Sequence, residues 1–260
     1  MKLGVFYPWS SPFTFTGFTD TIANLQRPDG VEVRFFRGDG WCPSRRHNDG
    51  CEKALKWGAD LILCIGTDQT YPEDMLIRLV DRFRETGGVI TALVPFRGYV
   101  GWQDMKPFQP LGWRLTQDGN QAREFRGAEL DADMMKPINP ADGDLQRVNL
   151  IGSGVLMFHR DHLLALERPW FFDRADPETM HRIADMDSKM IWRLQVEAGA
   201  TVWVDTTIKV EHLHVFSIDE TFQDRFEDWG KEGGAEDIIK YKLPTKEEVK
   251  KDVLLATNSQ

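Results

Sequence analysis

Asp68 stands just beyond an unbroken apolar run, Leu61-Ile62-Leu63-Cys64-Ile65, from which it is separated by the small turn Gly66-Thr67. A run without polar alternation is what a strand covered on both faces requires. In open α/β sheets, ligands bind beyond the carboxyl ends of such strands, so this carboxylate is presented where chemistry takes place. Other groupings also carry reactive residue types. Gly152-Ser153-Gly154 sets two glycines beside an apolar run, a pattern that lets a ligand approach the backbone. Asp185-Met186-Asp187 brings two carboxylates to the start of a helix, where they also suit the helix dipole. Glu211-His212-Leu213-His214 places two histidines, two residues apart, beside a strand end. Cys42, His47 and Cys51 have zinc-ligating types but no fourth ligand at a suitable spacing. Each of these residues also has an ordinary structural duty open to it: a turn for Asp68, a helix cap for Asp187, a satisfied core position for a histidine.

The elements that must position these groups follow from periodicity and punctuation. Lys2 to Tyr7 reads as a first strand closed by Pro8, Thr19 to Leu25 as a short helix, and Val31 to Phe36 as a second strand. Ser44 is expected to cap a helix running through Arg45-Arg46-His47-Asn48 to Lys56 and ending at Gly58. After Asp68, Thr70 and Glu73 have capping-box spacing, and Met75, Leu76, Leu79, Val80 and Phe83 form one apolar stripe ahead of Gly87-Gly88. Val89 to Val94 is a further strand. From Phe96 to Arg147 periodicity is lost, which marks a long irregular insert containing Trp102 and Trp113. Val148 to Phe158 reads as one strand interrupted by glycines, followed by a short helix from Asp161 to Leu166. A helix from Ser188 to Gly199 and a strand from Thr201 to Asp205 come next. Strand, helix and strand in alternation predict an α/β fold with a mainly parallel central sheet and helices on both faces.

Composition narrows the function classes. The chain has 260 residues, a formal net charge of −9 and a pI near 5.2, which disfavours a broad surface for nucleic acid or anionic membrane. Three cysteines are too few and odd in number for a disulfide framework, and the first residues hold no signal-peptide pattern, so a cytoplasmic protein without a membrane span is expected. The nine tryptophans supply flat rings that suit sugar stacking, although a core position is the commoner use.

Taken in order, these pieces resemble the GT-A-fold glycosyltransferases of the family-2 type, including short stand-alone versions from phages and bacteria. The resemblance spans roughly residues 1 to 214. It is carried by the strand ending in Pro8 and the patch Arg45-Arg46-His47-Asn48, similar to the family's segment bordering the nucleotide. Gly66-Thr67-Asp68 stands at the family's Asp-x-Asp metal motif, with Gly66 in place of the first aspartate. Gly152-Ser153-Gly154-Val155 followed by Arg160 is similar to its Gly-x-Gly strand beside the donor sugar. Asp185-Met186-Asp187, a helix ending Glu197-Ala198-Gly199, then Val202-Trp203-Val204-Asp205 and His212, look like its acidic motif, helix, strand and histidine. The resemblance implies transfer of a sugar from a nucleoside-diphosphate donor, a UDP-sugar by preference, to an acceptor hydroxyl that the sequence does not identify. It further implies Mn²⁺ or Mg²⁺ held by Asp68 and His212, and a base supplied by Asp187, with Asp185 the second choice. Pro8, Arg46, Asn48, Thr67, Asp68, Gly152, Ser153 and Gly154 would line the nucleotide-sugar site.

Two other functions compete. A nucleotidyltransferase is expected to carry a glycine-rich loop with a basic residue after the first strand, and Trp9-Ser10-Ser11-Pro12 has none. A non-catalytic nucleotide-sugar or glycan binding module would explain Gly66. Beyond residue 214 the charged segment 215–260 keeps spaced aromatics, Phe216, Phe222, Phe226 and Trp229, and is expected to dock on the domain or close over the site as a lid.

Overall fold

A computed structural model of the protein describes residues 1–9, 14–95, 112–115, 135–175, 182–184 and 186–213. Asp185, Trp102, His214 and the expected lid from 215 onward lie outside the described residues. In chain order the elements are β1 (Lys2–Pro8), α1 (Thr16–Asn24), β2 (Glu32–Gly38), α2 (Pro43–Trp57), β3 (Leu61–Ile65), β4 (Gln69–Thr70), α3 (Met75–Thr86), β5 (Val89–Leu93), β6 (Trp113–Leu115) and β7 (Met135–Pro137). They continue with β8 (Leu145–Val148), β9 (Val155–His159), α4 (Arg160–Leu164), β10 (Arg174–Ala175), β11 (Arg182–Ala184), α5 (Met186–Val196), β12 (Val202–Lys209) and β13 (Glu211–His212).

A seven-stranded sheet in the order β2-β1-β3-β9-β5-β12-β8 forms the centre. β2, β1 and β3 are parallel, as are β5 and β12, while β9 runs antiparallel between β3 and β5 and β8 runs antiparallel to β12. The expected α/β architecture is therefore present, with two strands reversed. Helices cover both faces. Leu61, Leu63 and Ile65 of β3 pack with Met75, Leu76, Leu79 and Val80 of α3 and Phe18 of α1, whereas Ile62 and Cys64 pack with α2 and with Met190, Ile191 and Leu194 of α5. Burial on both sides is why β3 shows no alternation; each fully buried Leu or Ile contributes about 1.5 to 3 kcal/mol. The described residues, Pro95 apart, belong to one compact unit, Met1–Val94 with Pro110–Leu213.

The close seat of α2 depends on small residues. A Cβ on Gly50 would lie 2.3 Å from the Phe6 ring, and one on Gly38 would lie 2.2 Å from the Arg46 carbonyl oxygen. Both positions exclude a side chain, which lets the first turns of α2 reach the ends of β1 and β2.

Several local expectations change. The Thr70–Glu73 capping box does not form: α3 starts at Met75, and Thr70 instead lies in β4, its hydroxyl donating to Glu211 Oε2 at 2.8 Å across the ladder. Ser44 does not cap α2, which begins one residue earlier at Pro43, where a missing N–H costs nothing. The run Val148 to Phe158 is two strands, because β8 ends at Val148 on the sheet edge while β9 enters the sheet centre from Val155. Leu145-Gln146-Arg147-Val148, whose first three residues fall at the end of the expected irregular insert, is a strand; only four residues long, it alternates too briefly to be read by pattern. The helix expected from Ser188 starts at Met186, which puts Asp187 inside its first turn.

Candidate functional site

The parallel strands direct their carboxyl ends to one edge of the sheet, and β9, being reversed, starts there. Pro8, the first turns of α2, the Asp68 turn, Gly152-Ser153-Gly154 and His212 consequently gather along that edge. The amide of Gly66 donates to the Gly154 carbonyl at 2.8 Å, which stitches the turn after β3 to the glycine segment.

Asp68 is fixed from several directions. The Leu213 amide donates to its carbonyl at 2.7 Å, and the two-residue ladder of β4 with β13 pairs Gln69 with His212. His212 Nε2 then lies 3.3 Å from Asp68 Oδ2. The Tyr71 hydroxyl donates to the Gly66 carbonyl at 2.7 Å and lies 3.1 Å from Gln69 Oε1; burial pushes this phenol well up, so it stays a donor. The buried Gln69 side chain occupies the space between the glycines: a Cβ on Gly66 would lie 3.0 Å from Gln69 Cδ and 3.1 Å from Asp68 Oδ1, and one on Gly154 would lie 2.3 Å from Gln69 Nε2. A side chain at position 66 would press on the ends of Gln69 and Asp68, which would have to give by a few tenths of an ångström. Among the described residues no group of three or more His, Cys, Asp or Glu side chains is assembled to hold a metal. Asp68 and His212 form a two-donor set of one carboxylate and one imidazole. Such a pair fits Mn²⁺ or Mg²⁺ when phosphate oxygens and water fill the other positions, with the imidazole favouring Mn²⁺.

Asp187 is tied to the same edge through Ser153, whose hydroxyl donates to Asp187 Oδ1 at 2.7 Å. On the other side of that hydroxyl is His47 Nε2, 3.4 Å away, while His47 Nδ1 lies 2.8 Å from the Pro43 carbonyl oxygen. The imidazole is enclosed by Phe6 and Phe171, at ring-centre distances of 5.9 and 4.9 Å. This is not a nucleophilic triad, because the carboxylate holds the serine rather than orienting the histidine. Burial holds the His47 imidazole below its usual range, against the opposing pull of Asp187. The folded protein thus binds this proton less readily than the unfolded chain. The stability contribution is whole above about pH 6.5 and is lost as pH falls below that value. Burial shifts the half-buried His162 in the same direction. The urea midpoint at pH 5.5 should therefore lie below that at pH 7.5, and His47→Phe should shrink the difference; an unchanged difference would mean that other groups, such as His162, carry it.

Asn48 is a correction to the expected nucleotide site. Its Nδ2 donates to the carbonyls of Ser44 and Phe171 at 2.8 and 2.7 Å, and its Oδ1 accepts from the amides of Trp170 and Phe171 at 2.9 and 3.2 Å. Both hydrogens and both lone pairs are used, so the amide clamps the chain segment at 170–171 and has no capacity left for a ligand. Trp170 is 2% exposed and belongs to the core. Arg46 donates from Nε to the Gly40 carbonyl at 2.9 Å, holding the entry to α2. Thr67 is half-buried in the Asp68 turn, and Pro8 ends β1 opposite Gly38.

Sequence reasoning did not single out Gln69, Tyr71 or the Ser153–His47 pair. Gln69 and Tyr71 flank Thr70 next to Asp68, and a buried polar pair so close to a turn was the available signal. His47 stood out only as a zinc-ligating type and within the basic patch, and its pairing with Ser153 was not visible because that partner lies on a distant segment. The burial of His47 between two phenylalanines appears only once α2 is docked.

No family model matches the chain, and no curated protein does. Solved structures do match. The crystal structure of A197 from STIV is similar at 14% identity and a TM-score of 0.54, over 83% of this chain and 87% of that one. The likeness lies in the fold. Among the described residues, no helix is long and apolar enough to cross a membrane.

Proposed function

We propose that the protein is a glycosyltransferase that moves a sugar from a nucleoside diphosphate to an acceptor hydroxyl. The observation that carries this reading is the meeting, at one sheet edge, of Asp68 with His212 at 3.3 Å and of Asp187 with Ser153 at 2.7 Å, beside the Gly152-Ser153-Gly154 segment. A donor diphosphate needs positive charge near its oxygens as the glycosidic bond breaks, and an acceptor hydroxyl needs a base. Asp68 and His212 would hold Mn²⁺ or Mg²⁺, which supplies that charge when bound. Asp187 takes the acceptor proton, held in orientation by the Ser153 hydroxyl. Arg46, at the nucleotide end of the edge, adds a cation beside the diphosphate. Glycines at 152 and 154 let a ligand approach this segment, with the Gln69 side chain packed against Gly154. A UDP-sugar remains the preferred donor class, and a cytoplasmic setting fits such a donor.

Gly66, which leaves Asp68 without a second carboxylate beside it, favours a second reading, a binding module on the same fold that performs no transfer. Incubation of the protein with a panel of nucleotide sugars and Mn²⁺ separates the two, because only a transferase releases free nucleoside diphosphate, slowly by hydrolysis even without an acceptor. The donor end has its own test. A nucleoside diphosphate at a hundredfold excess over Kd should stabilise the protein by about 2.7 kcal/mol, roughly 5 to 10 °C in Tm. Mn²⁺ should add to that shift, and Asp68→Ala should abolish the metal increment while keeping most of the nucleotide shift. Indifference of the wild-type shift to metal and chelator would remove the cation from the reading.

A further inference from the structure

The Ser153 hydroxyl is 6% exposed at the residue level, has one hydrogen, and faces two acceptors. Asp187 Oδ1 is 2.7 Å from it and His47 Nε2 is 3.4 Å from it. His47 Nδ1 sits 2.8 Å from a carbonyl oxygen that can only accept, so Nδ1 carries a proton and, in the neutral ring, Nε2 is a bare lone pair. While Asp187 is ionised, the serine hydrogen goes to the carboxylate along the short leg, and the buried Nε2 has no donor. An unpaired buried acceptor is costly. Once Asp187 is protonated, its own O–H can donate to Ser153 Oγ, and the serine hydrogen is free to turn to Nε2. Each group in the chain is then paired.

We propose that His47, acting only through Ser153, stabilises the protonated form of Asp187 and so makes that carboxylate a stronger proton acceptor. The inference rests on Asp187 as the base of the proposed transfer. In that step the acceptor oxygen bonds to the sugar carbon, the carbon–diphosphate bond breaks with its electron pair on the diphosphate oxygen, and the acceptor proton passes to Asp187. The serine hydroxyl turns and no proton moves to the imidazole. After product leaves, Asp187 returns the proton to water and the hydroxyl swings back. The surroundings keep the proton on the carboxyl end: Phe6 and Phe171 enclose the ring, and the Arg46 cation opposes a second positive charge beside it. The Cys64 thiol, pushed up first by burial and also by the field of Cys51 and of Asp187, stays protonated and neutral. His47 and Ser153 are thus positioning residues.

The test follows the Asp187 carboxyl by carbon NMR in protein labelled at aspartate, with no substrate present. His47→Phe, which keeps a ring between Phe6 and Phe171, should lower the Asp187 midpoint by about one pH unit, the worth of one hydrogen bond. In a Ser153→Ala background the same change should move it by nothing measurable, since the imidazole has lost its only route. A midpoint that rises with His47→Phe, or falls equally in both backgrounds, overturns the proposal. A second measurement needs no variant. Nitrogen NMR of the His47 ring should show the Nδ1–H tautomer on both sides of the Asp187 midpoint, with the Nε2 signal moving as Asp187 gains its proton. A doubly protonated ring, or an Nε2 signal that ignores Asp187, overturns it as well. The acidic limb of any turnover profile should follow the NMR midpoint. If no donor is ever cleaved yet the NMR pattern holds, the transfer reading fails and the chain stands; if Asp187-dependent turnover is found without the His47 effect, the reverse is true.

Discussion

Asp187→Asn should lower turnover by about two to four orders of magnitude, the range spanned by a positioned general base, while nucleoside diphosphate affinity stays within about twofold of wild type. The substitution isolates proton transfer. An asparagine oxygen can still accept from the Ser153 hydroxyl, which donates to Asp187 Oδ1 at 2.7 Å in the wild type, so the local geometry has no reason to collapse. What disappears is a group able to take a proton. The change also removes a negative charge from the first turn of α5, at a cost of about 0.3 to 1 kcal/mol, too little to unfold the protein. Calorimetric titration with a nucleoside diphosphate and Mn²⁺, set beside steady-state release of nucleoside diphosphate, separates the two effects. Unchanged turnover would move the base elsewhere, Asp185 being the next residue to test. Equal losses in binding and rate would instead make Asp187 a ligand contact.

Asn48→Ala should destabilise the protein by about 2 to 4 kcal/mol without altering nucleotide affinity per folded molecule. It removes the partners of the Trp170 and Phe171 amides and of the Phe171 carbonyl, and those residues are 2% and 1% exposed. Each buried group left unpaired costs about 1 to 3 kcal/mol, reduced where water can enter. The damage should reach the site indirectly. Arg193 of α5 donates to the carbonyls of Glu167 and Pro169 at 2.8 Å each, and Asp173 accepts from the Met186 amide at 3.2 Å, so the clamped segment seats the helix that carries Asp187. Urea unfolding of wild type and variant measures the loss, and turnover should fall while nucleotide affinity per folded molecule holds. A tenfold loss of nucleotide affinity at unchanged stability would return Asn48 to the binding site.

The class of fold and the place of Asp68 were legible from residue order alone. The uninterrupted run from Leu61 to Ile65 could be buried only on both faces, and the glycines after α2 and α3, Gly58 and Gly87, have φ of 82° and 64°, a backbone conformation that favours glycine. Such signals are local, because one strand or one helix end states its own requirement. The rest depended on contacts between distant segments. β9 runs antiparallel between β3 and β5, a pairing that no residue within β9 specifies alone, and only that reversal brings Ser153 to the edge where Asp68 lies. Thr70 had the spacing of a capping box but was taken by Glu211, 141 residues away in sequence, since a ladder with β13 satisfies more backbone than a cap would. Asn48 read as a nucleotide contact only through the resemblance of its segment to the glycosyltransferase pattern, and it is a clamp because the segment at 170–171 presents buried amides to it. His47 and Ser153 are 106 positions apart. What a hydroxyl or an imidazole does depends on which partner reaches it within about 3 Å, and distances of that kind are set by packing between elements rather than by spacing along the chain.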